Sequence, residues 1–194
     1  MSVKPDYAEL HCLSNFSFQR AASHSRELVE RAHALGYRAL AITDECSLAG
    51  IVRAWEAARE CSLHLIVGSE FQLSDGPKVV LLAPTLTAYE QLSALITQAR
   101  RRSEKGRYAL NTSDLDGHTN DLLALWIPQW REQGFDEDAL LSEARSLAAL
   151  FPQRSWIAWE RHLHPEDALR YEALGAISRA TGLRLVAAGD VRMH

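Results

Sequence analysis

The strongest constraint on this chain is a repeated alternation. Short apolar runs of strand character are each followed by a helical pattern, and an acid or a histidine often stands where a run ends. Tyr7–Cys12 opens the series and carries His11 near its end. In 26–35 (RELVERAHAL), Leu28, Val29, Ala32 and Leu35 share one helical face, and Gly36 is placed to close the helix as its C′ residue. Arg38–Thr43 is a second apolar run, ending at Asp44; Ser47 is then placed to cap a helix carrying Leu48, Ile51, Val52, Trp55 and Ala58. Leu63–Gly68 leads to Ser69-Glu70, and the turn Ser74–Pro77 predicts a hairpin-like return into KVVLLA. Thr87 is expected to open a helix through Leu92, Leu95 and Ile96. Beyond a polar stretch from Arg100 to His118 come a strand at Leu122–Pro128, a helix at Asp138–Phe151 and a strand at Ser155–Glu160. A helix at Pro165–Thr181, with Pro165 at N1, and a last strand at Arg184–Asp190 complete the order.

Runs that are apolar throughout predict a parallel sheet covered by helices. The residues at their ends choose between its open and closed forms. His11, Asp44, Glu70, Glu160 and Asp190 would all converge on one mouth in an α/β barrel, whereas an open doubly wound sheet gathers only two or three at its switch point. The expected fold is therefore an α/β barrel, a single domain over residues 1–194.

Composition removes several functional classes. A net charge of −4 argues against a polyanion-binding surface taken over the whole domain. No apolar run approaches the ~20 residues that span a bilayer, and the opening MSVKPDYAEL lacks the pattern of a signal peptide. Cys12, Cys46 and Cys61 are an odd number without CxxC spacing, and read as reduced thiols of a cytoplasmic protein. No Walker loop or GxGxxG occurs. Cys12 and His11, adjacent on a strand, point to opposite faces and form no nucleophilic pair. Arg100-Arg101-Arg102, Lys105 and Arg107 make one dense basic run, read as a solvated helix end sooner than a phosphate contact. Trp126, Trp130, Trp156 and Trp159 read as packing groups sooner than base-stacking platforms.

Carboxylates and imidazoles converging in one pocket are the ligand types of a hydrolytic metal site. Singly each reads otherwise: an aspartate after a strand as a helix cap, a histidine on a strand as a hydrogen-bonded core residue. Their joint placement at one barrel end is what gives them weight.

Several long segments agree in order and spacing with one family: ELHCLSNFSF, ALAITDECSLAGIVRA, LIVGSEF, VVLLAPTLTAYEQLSALITQARRRSEKGRY and VAAGDVRMH. From about residue 6 to 194 the chain resembles the N-terminal polymerase-and-histidinol-phosphatase (PHP) domain of bacterial C-family DNA polymerases, the error-prone, damage-inducible group above all. The resemblance implies a distorted seven-stranded (β/α) barrel whose metal-bearing members hold a trinuclear cluster and hydrolyse phosphoesters. It also implies a parent polymerase whose remaining domains follow in the same chain, with DNA, damage-tolerance accessory proteins and a sliding clamp as partners and translesion synthesis as its work.

Position by position, the ligand pattern of the family is broken. Its opening His-x-His-Ser stands here as His11-Cys12-Leu13-Ser14, so the second imidazole is a leucine. A following aspartate corresponds by spacing to Arg20, Thr-Asp-His reads Thr43-Asp44-Glu45, and the closing Asp-x-His is Asp190-Val191-Arg192. Glu70 matches the expected glutamate, while His162 and His164 stay unassigned. The vestigial positions are thus His11, Leu13, Arg20, Asp44, Glu45, Glu70, Asp190 and Arg192, of which His11, Asp44, Glu70 and Asp190 could still ligate. A guanidinium offers no lone pair and repels a cation. The expectation is a mouth without metal or catalytic residues and a structural, interacting domain. The alternative is a Zn- or Mn-dependent phosphoesterase or proofreading nuclease. Two structural expectations accompany this: Arg20 or Arg192 approaches the orphaned carboxylates, and an apolar surface lies near Trp126–Pro128 and Val191–His194.

Overall fold

The structure, a computed structural model, describes residues 6–117, 119–130 and 136–194. The N-terminal MSVKP and His118, at the end of the polar stretch, lie outside the described residues. Seven strands form one sheet in chain order: β1 (Ala8–Glu9), β2 (Ala39–Ile42), β3 (His64–Gln72), β4 (Lys78–Ala83), β5 (Leu123–Ile127), β6 (Ser155–Glu160) and β7 (Arg184–Ala188). Around it lie α1 (Ser25–Ala34), α2 (Ile51–Cys61), α3 (Leu86–Arg101), α4 (Glu137–Leu150) and α5 (Asp167–Thr181). The sheet nearly closes into a barrel. Just past β1 and β7, Cys12 pairs in parallel with Val191, the Val191 amide donates to His11 O (3.0 Å), and the Leu13 amide to Val191 O (2.8 Å).

The barrel is not parallel throughout. β4 runs antiparallel to both β3 and β5, because the Ser74–Pro77 turn is far too short for the crossover that a parallel neighbour needs. This reversal brings the first residue of β4, Lys78, to the barrel end where the parallel strands finish. Side-chain alternation then divides the sheet: Val80 and Leu82 face the lumen with Leu125, Ile127 and Ala158, while Val79, Leu81 and Trp126 pack outward beneath the helices.

Local chemistry moved several boundaries. Thr85, not Thr87, caps α3, its side chain accepting from the Ala88 amide. α2 starts at Ile51 behind Gly50, since the Ser47 hydroxyl caps only a turn, accepting from the Ala49 amide (3.2 Å). Pro165 lies in the loop before α5, whose N-cap is Glu166. Trp126 and Ile127 are buried rather than at an apolar surface; the exposed large apolar groups include Val52 and Trp55 on α2, Leu169 and Tyr171 on α5, and Phe18, Leu163 and Met193 in loops. Among the described residues no helix is long and apolar enough to cross a membrane.

β1 has only two residues of regular pairing, and the Glu9 side chain replaces part of the missing ladder. Its Oε1 accepts from the His11 amide (2.9 Å) and from the Gly189 amide (2.8 Å), tying β1 to the segment after β7. Its Oε2 accepts from the Tyr7 hydroxyl (2.8 Å). A Cβ at position 189 would run into Glu9 Oε2, which cannot swing away without giving up its bonds to the two amides and Tyr7, so the seam is built around glycine there. Burial raises the Glu9 carboxyl above its ordinary range, against the pull of these three donors. Glu9→Gln keeps an acceptor for both amides and is expected to be nearly neutral at pH 8. Glu9→Ala orphans two amides and should cost about 2 kcal/mol or more in chemical denaturation. Equal losses in the two variants would refute the seam role.

Candidate metal centre at the barrel mouth

The backbone beyond β2 meets β3 again in one further parallel bridge, which sets Glu45 directly beside Glu70. The Glu70 amide donates to Thr43 O (3.1 Å) and the Cys46 amide to Glu70 O (2.9 Å). Two carboxylates facing each other across neighbouring strands repel, and here Arg20 lies between them. It belongs to the loop after β1, where the Arg20 amide donates to Ser17 O (3.0 Å). Its Nη1 reaches Glu45 Oε2 at 2.8 Å and also Glu70 Oε1, while Nη2 reaches Glu70 Oε2 at 3.2 Å.

Glu70, 1 % exposed, has two further cationic neighbours. Lys78 Nζ stands 2.8 Å from its Oε2, and His11 Nε2 lies at 2.8 Å from the same oxygen. Burial alone would raise this carboxyl; the hydrogen bonds from His11 and Arg20 and the charge of Lys78 outweigh it and hold Glu70 well below the usual carboxylate range. Burial likewise lowers the His11 imidazole, but hydrogen bonds to Glu160 (Nδ1 to Oε1, 2.5 Å) and Glu70 lift it to about 9. At neutral pH His11 is therefore an imidazolium whose two N–H groups each donate to a carboxylate.

Asp44 stands apart from this ion-pair net. The Ser14 amide (2.8 Å) and the Ser17 hydroxyl (2.7 Å) both donate to its Oδ1, and the Ser14 hydroxyl to its Oδ2 (2.7 Å). A Cβ on Gly50 would sit 3.0 Å from Oδ2, so the carboxylate is closely walled in. Asp190, at a positive φ of 47°, accepts at Oδ2 from the Arg192 guanidinium (2.5 Å). Its Oδ1 is buried without a hydrogen-bond donor among the described residues, 3.9 Å from His11 Nε2. Leu13, fully buried, holds the seam through its amide and adds only hydrocarbon to the mouth.

Sequence position brought His11, Arg20, Glu45, Glu70, Asp190 and Arg192 into one neighbourhood, with Asp44 behind its serine clamp. It did not find Lys78. The hydroxyls of Ser14 and Ser17 serve the aspartate. Glu160 was noted as a strand end, and its second role as the partner of His11 became visible only in three dimensions. His162 lies 51 % exposed, its Nε2 3.9 Å from Glu160, and the structure leaves His164 in the loop before α5, 47 % exposed near Glu166. Ligand atoms of His11, Glu70 and Asp190 fall within 4.8 Å of one another, as do those of Glu160, His162 and Asp190. The basic run is divided: Arg100 hydrogen-bonds Cys46 O and Glu45 O, Arg102 pairs with Asp114 at 2.5 Å, and Arg101, Lys105 and Arg107 are exposed.

Comparison with known proteins adds a family and a context. The PHP domain family matches residues 9–160. Error-prone DNA polymerases of Pseudomonas fluorescens and Dechloromonas aromatica are 54 % and 53 % identical over 97 % and 98 % of the chain. The chain spans 18 % of the length of these relatives, matching their N-terminal region. Among solved structures, a protein of Bifidobacterium adolescentis assigned as a metal-dependent phosphoesterase superposes with a TM-score of 0.69 at 17 % identity, covering 97 % of this chain and 88 % of that one. An amidohydrolase of Chromobacterium violaceum, whose structure holds sulfate and no metal, gives 0.64 at 16 % identity, covering 96 % and 87 %. At such identities these two establish the shared barrel fold.

Proposed function

The chain belongs to the PHP domain family, and from that premise we propose that it is a degenerate, metal-free PHP domain serving as the N-terminal structural and interaction module of an error-prone DNA polymerase. The observation that carries the reading is the threefold occupation of Glu70. The carboxylate expected to hold a cation is instead held by Arg20, Lys78 and His11, all fixed or protonated positive charges. Four cations (His11, Arg20, Lys78, Arg192) stand against five acids (Asp44, Glu45, Glu70, Glu160, Asp190), so the mouth is nearly neutral from its own side chains.

The residues present do not fit a metal cluster. A ligating histidine must expose a lone pair, and both His11 nitrogens face carboxylates at hydrogen-bond distance. Asp44 already accepts three hydrogen bonds from the two serines, and Arg20 would stand beside any cation bound to Glu70. The Asp190 Oδ1 atom is the exception, a buried oxygen without a donor, but Arg192 already neutralises that carboxylate. In this reading the protein has no hydrolytic step to perform. It braces the polymerase domains of the parent chain, works in the cytoplasm, and acts in translesion synthesis through that parent.

Elemental analysis of protein purified without chelators tests this, together with hydrolysis of p-nitrophenyl phosphate and single-stranded DNA. The expected result is far less than one Zn, Mn or Fe per chain and no turnover above buffer. Stoichiometric metal, with hydrolysis abolished in Asp190→Asn, would overturn the reading in favour of a metal-dependent phosphoesterase or nuclease.

A further inference from the structure

Beside the mouth, sharing Glu45 with the ion-pair net, lies a cavity of ≈600 Å³ between the loop after β1 and the loop after α3. Its walls include Phe16, Phe18, Gln19, Glu45, Arg107 and Tyr108. Phe18 is 83 % exposed and Phe16 39 %, a costly presentation of two aromatic rings on one short loop. Tyr108 and Glu45 are already committed: the Tyr108 hydroxyl donates to Glu45 Oε1 (3.0 Å), and Arg20 takes the other oxygen. Arg107 is exposed and has no ion pair among the described residues, and Lys105 stands two residues before it in the same loop. Between them Gly106, at φ +88°, leaves open space where a Cβ would point. Exposed Glu104 offsets Lys105 in that loop, but the charged groups lining the cavity are Glu45, Arg100 and Arg107, and Arg20 already pairs with Glu45, so the uncompensated charge on this wall is positive in a chain whose net charge is −4.

Exposed aromatic rings and an arginine without an ion pair lining one cavity are the two halves of a site for an aromatic anion. We propose that this cavity binds one or two nucleotides of an unpaired nucleic-acid strand, the base against Phe18 and Phe16 and the phosphate on Arg107. Every base has a π-face, so stacking of this kind is tolerant of sequence, while a base inside a duplex keeps its faces covered. The volume lies in the range of small-ligand clefts, roughly 300–1,000 Å³, and cannot admit a double helix. The choice of a nucleic acid among aromatic anions rests on the reading of the chain as part of a DNA polymerase. The metal-free mouth plays no role in it.

Fluorescence anisotropy of a labelled oligothymidylate of about 12 nucleotides, in EDTA, tests the site without any contribution from metal-held phosphate. Saturable binding is expected, stronger than for a duplex or an abasic strand of the same length. Phe18→Ala should weaken it roughly tenfold or more. Arg107→Ala should lower the slope of log K against log salt by about 0.7, the share of one phosphate on a single strand. Both side chains are exposed, so both variants should keep the parent melting temperature. Equal binding of the abasic strand, or an unchanged affinity in Phe18→Ala, overturns the proposal and assigns the exposed ring to a protein contact. Elemental analysis is unaffected by either result, so failure here and failure of the metal-free reading are separately visible.

Discussion

Arg20→Ala is expected to destabilise the protein by about 3 kcal/mol at pH 7, a fall of roughly 6–12 °C in melting temperature for a chain of this size. Among the described residues the guanidinium is the only side chain that pairs with both Glu45 and Glu70, and it is 25 % exposed, so the loss falls at the low end of values for a broken buried pair. Removing it restores the repulsion between two carboxylates on adjacent strands, one of them almost wholly buried. The dependence on pH has a definite sign. Glu70 titrates below its ordinary 4.5 in the folded state, so its pairing stabilises above that value and is lost as pH falls. The Arg20→Ala penalty should therefore be largest at neutral pH and shrink toward pH 3. Arg192→Ala offers the contrast: its side chain is 51 % exposed and pairs only with Asp190, so the cost should stay below about 1 kcal/mol. A double-mutant cycle between Arg20→Ala and Glu70→Gln isolates the coupling. A coupling no larger than that of Arg192 with Asp190 would refute the central place given to Arg20.

Much of this site was legible before the structure because of one geometric rule, that the C-terminal ends of parallel strands converge on one mouth. Asp44, Glu70 and Asp190 obey it, and the resemblance to the PHP family put Arg20 and Arg192 in the same place. Lys78 escaped because it starts a strand. The rule inverts for β4, which runs backward, and the Ser74–Pro77 turn was the signal that it would. Glu9 escaped for a different reason. Nothing within YAELHC marks it, yet that strand breaks after two residues and the side chain makes the seam bonds itself. The apolar surface expected near Trp126–Pro128, as a face for the remaining polymerase domains, is absent because Trp126 and Ile127 belong to a strand inside the barrel wall. In a barrel both of its faces are interior, one to the lumen and one to the helices.

The pairing of His11 predicts an unusual alkaline limit to stability. Folded His11 holds its proton to about pH 9, against 6.5 for an ordinary imidazole, because Glu160 and Glu70 outweigh the effect of its burial. A base whose pKa is raised on folding contributes stability that is complete below 6.5 and is lost as pH rises through 9. The difference corresponds to roughly 3 kcal/mol, at 1.36 kcal/mol for each unit. Glu70 acts at the other end, its contribution fading as pH drops below 4.5. Stability measured by urea denaturation should thus be greatest between about pH 5 and 6.5 and decline steadily toward pH 9. His11→Gln provides the control, since it cannot carry the charge and leaves Glu70 and Glu160 with one fewer cation. That variant is expected to be several kcal/mol less stable at pH 6, by the cost of breaking a buried charge pair, and to lose the decline between pH 6.5 and 9. Nuclear magnetic resonance of the His11 ring carbons would read the titration directly. A midpoint near 6.5 would mean that neither carboxylate holds the proton, and the imidazole would then be free to present a lone pair. A metal site at the mouth would regain its nitrogen ligand, and the case for a metal-free barrel would lose one of its three cations on Glu70.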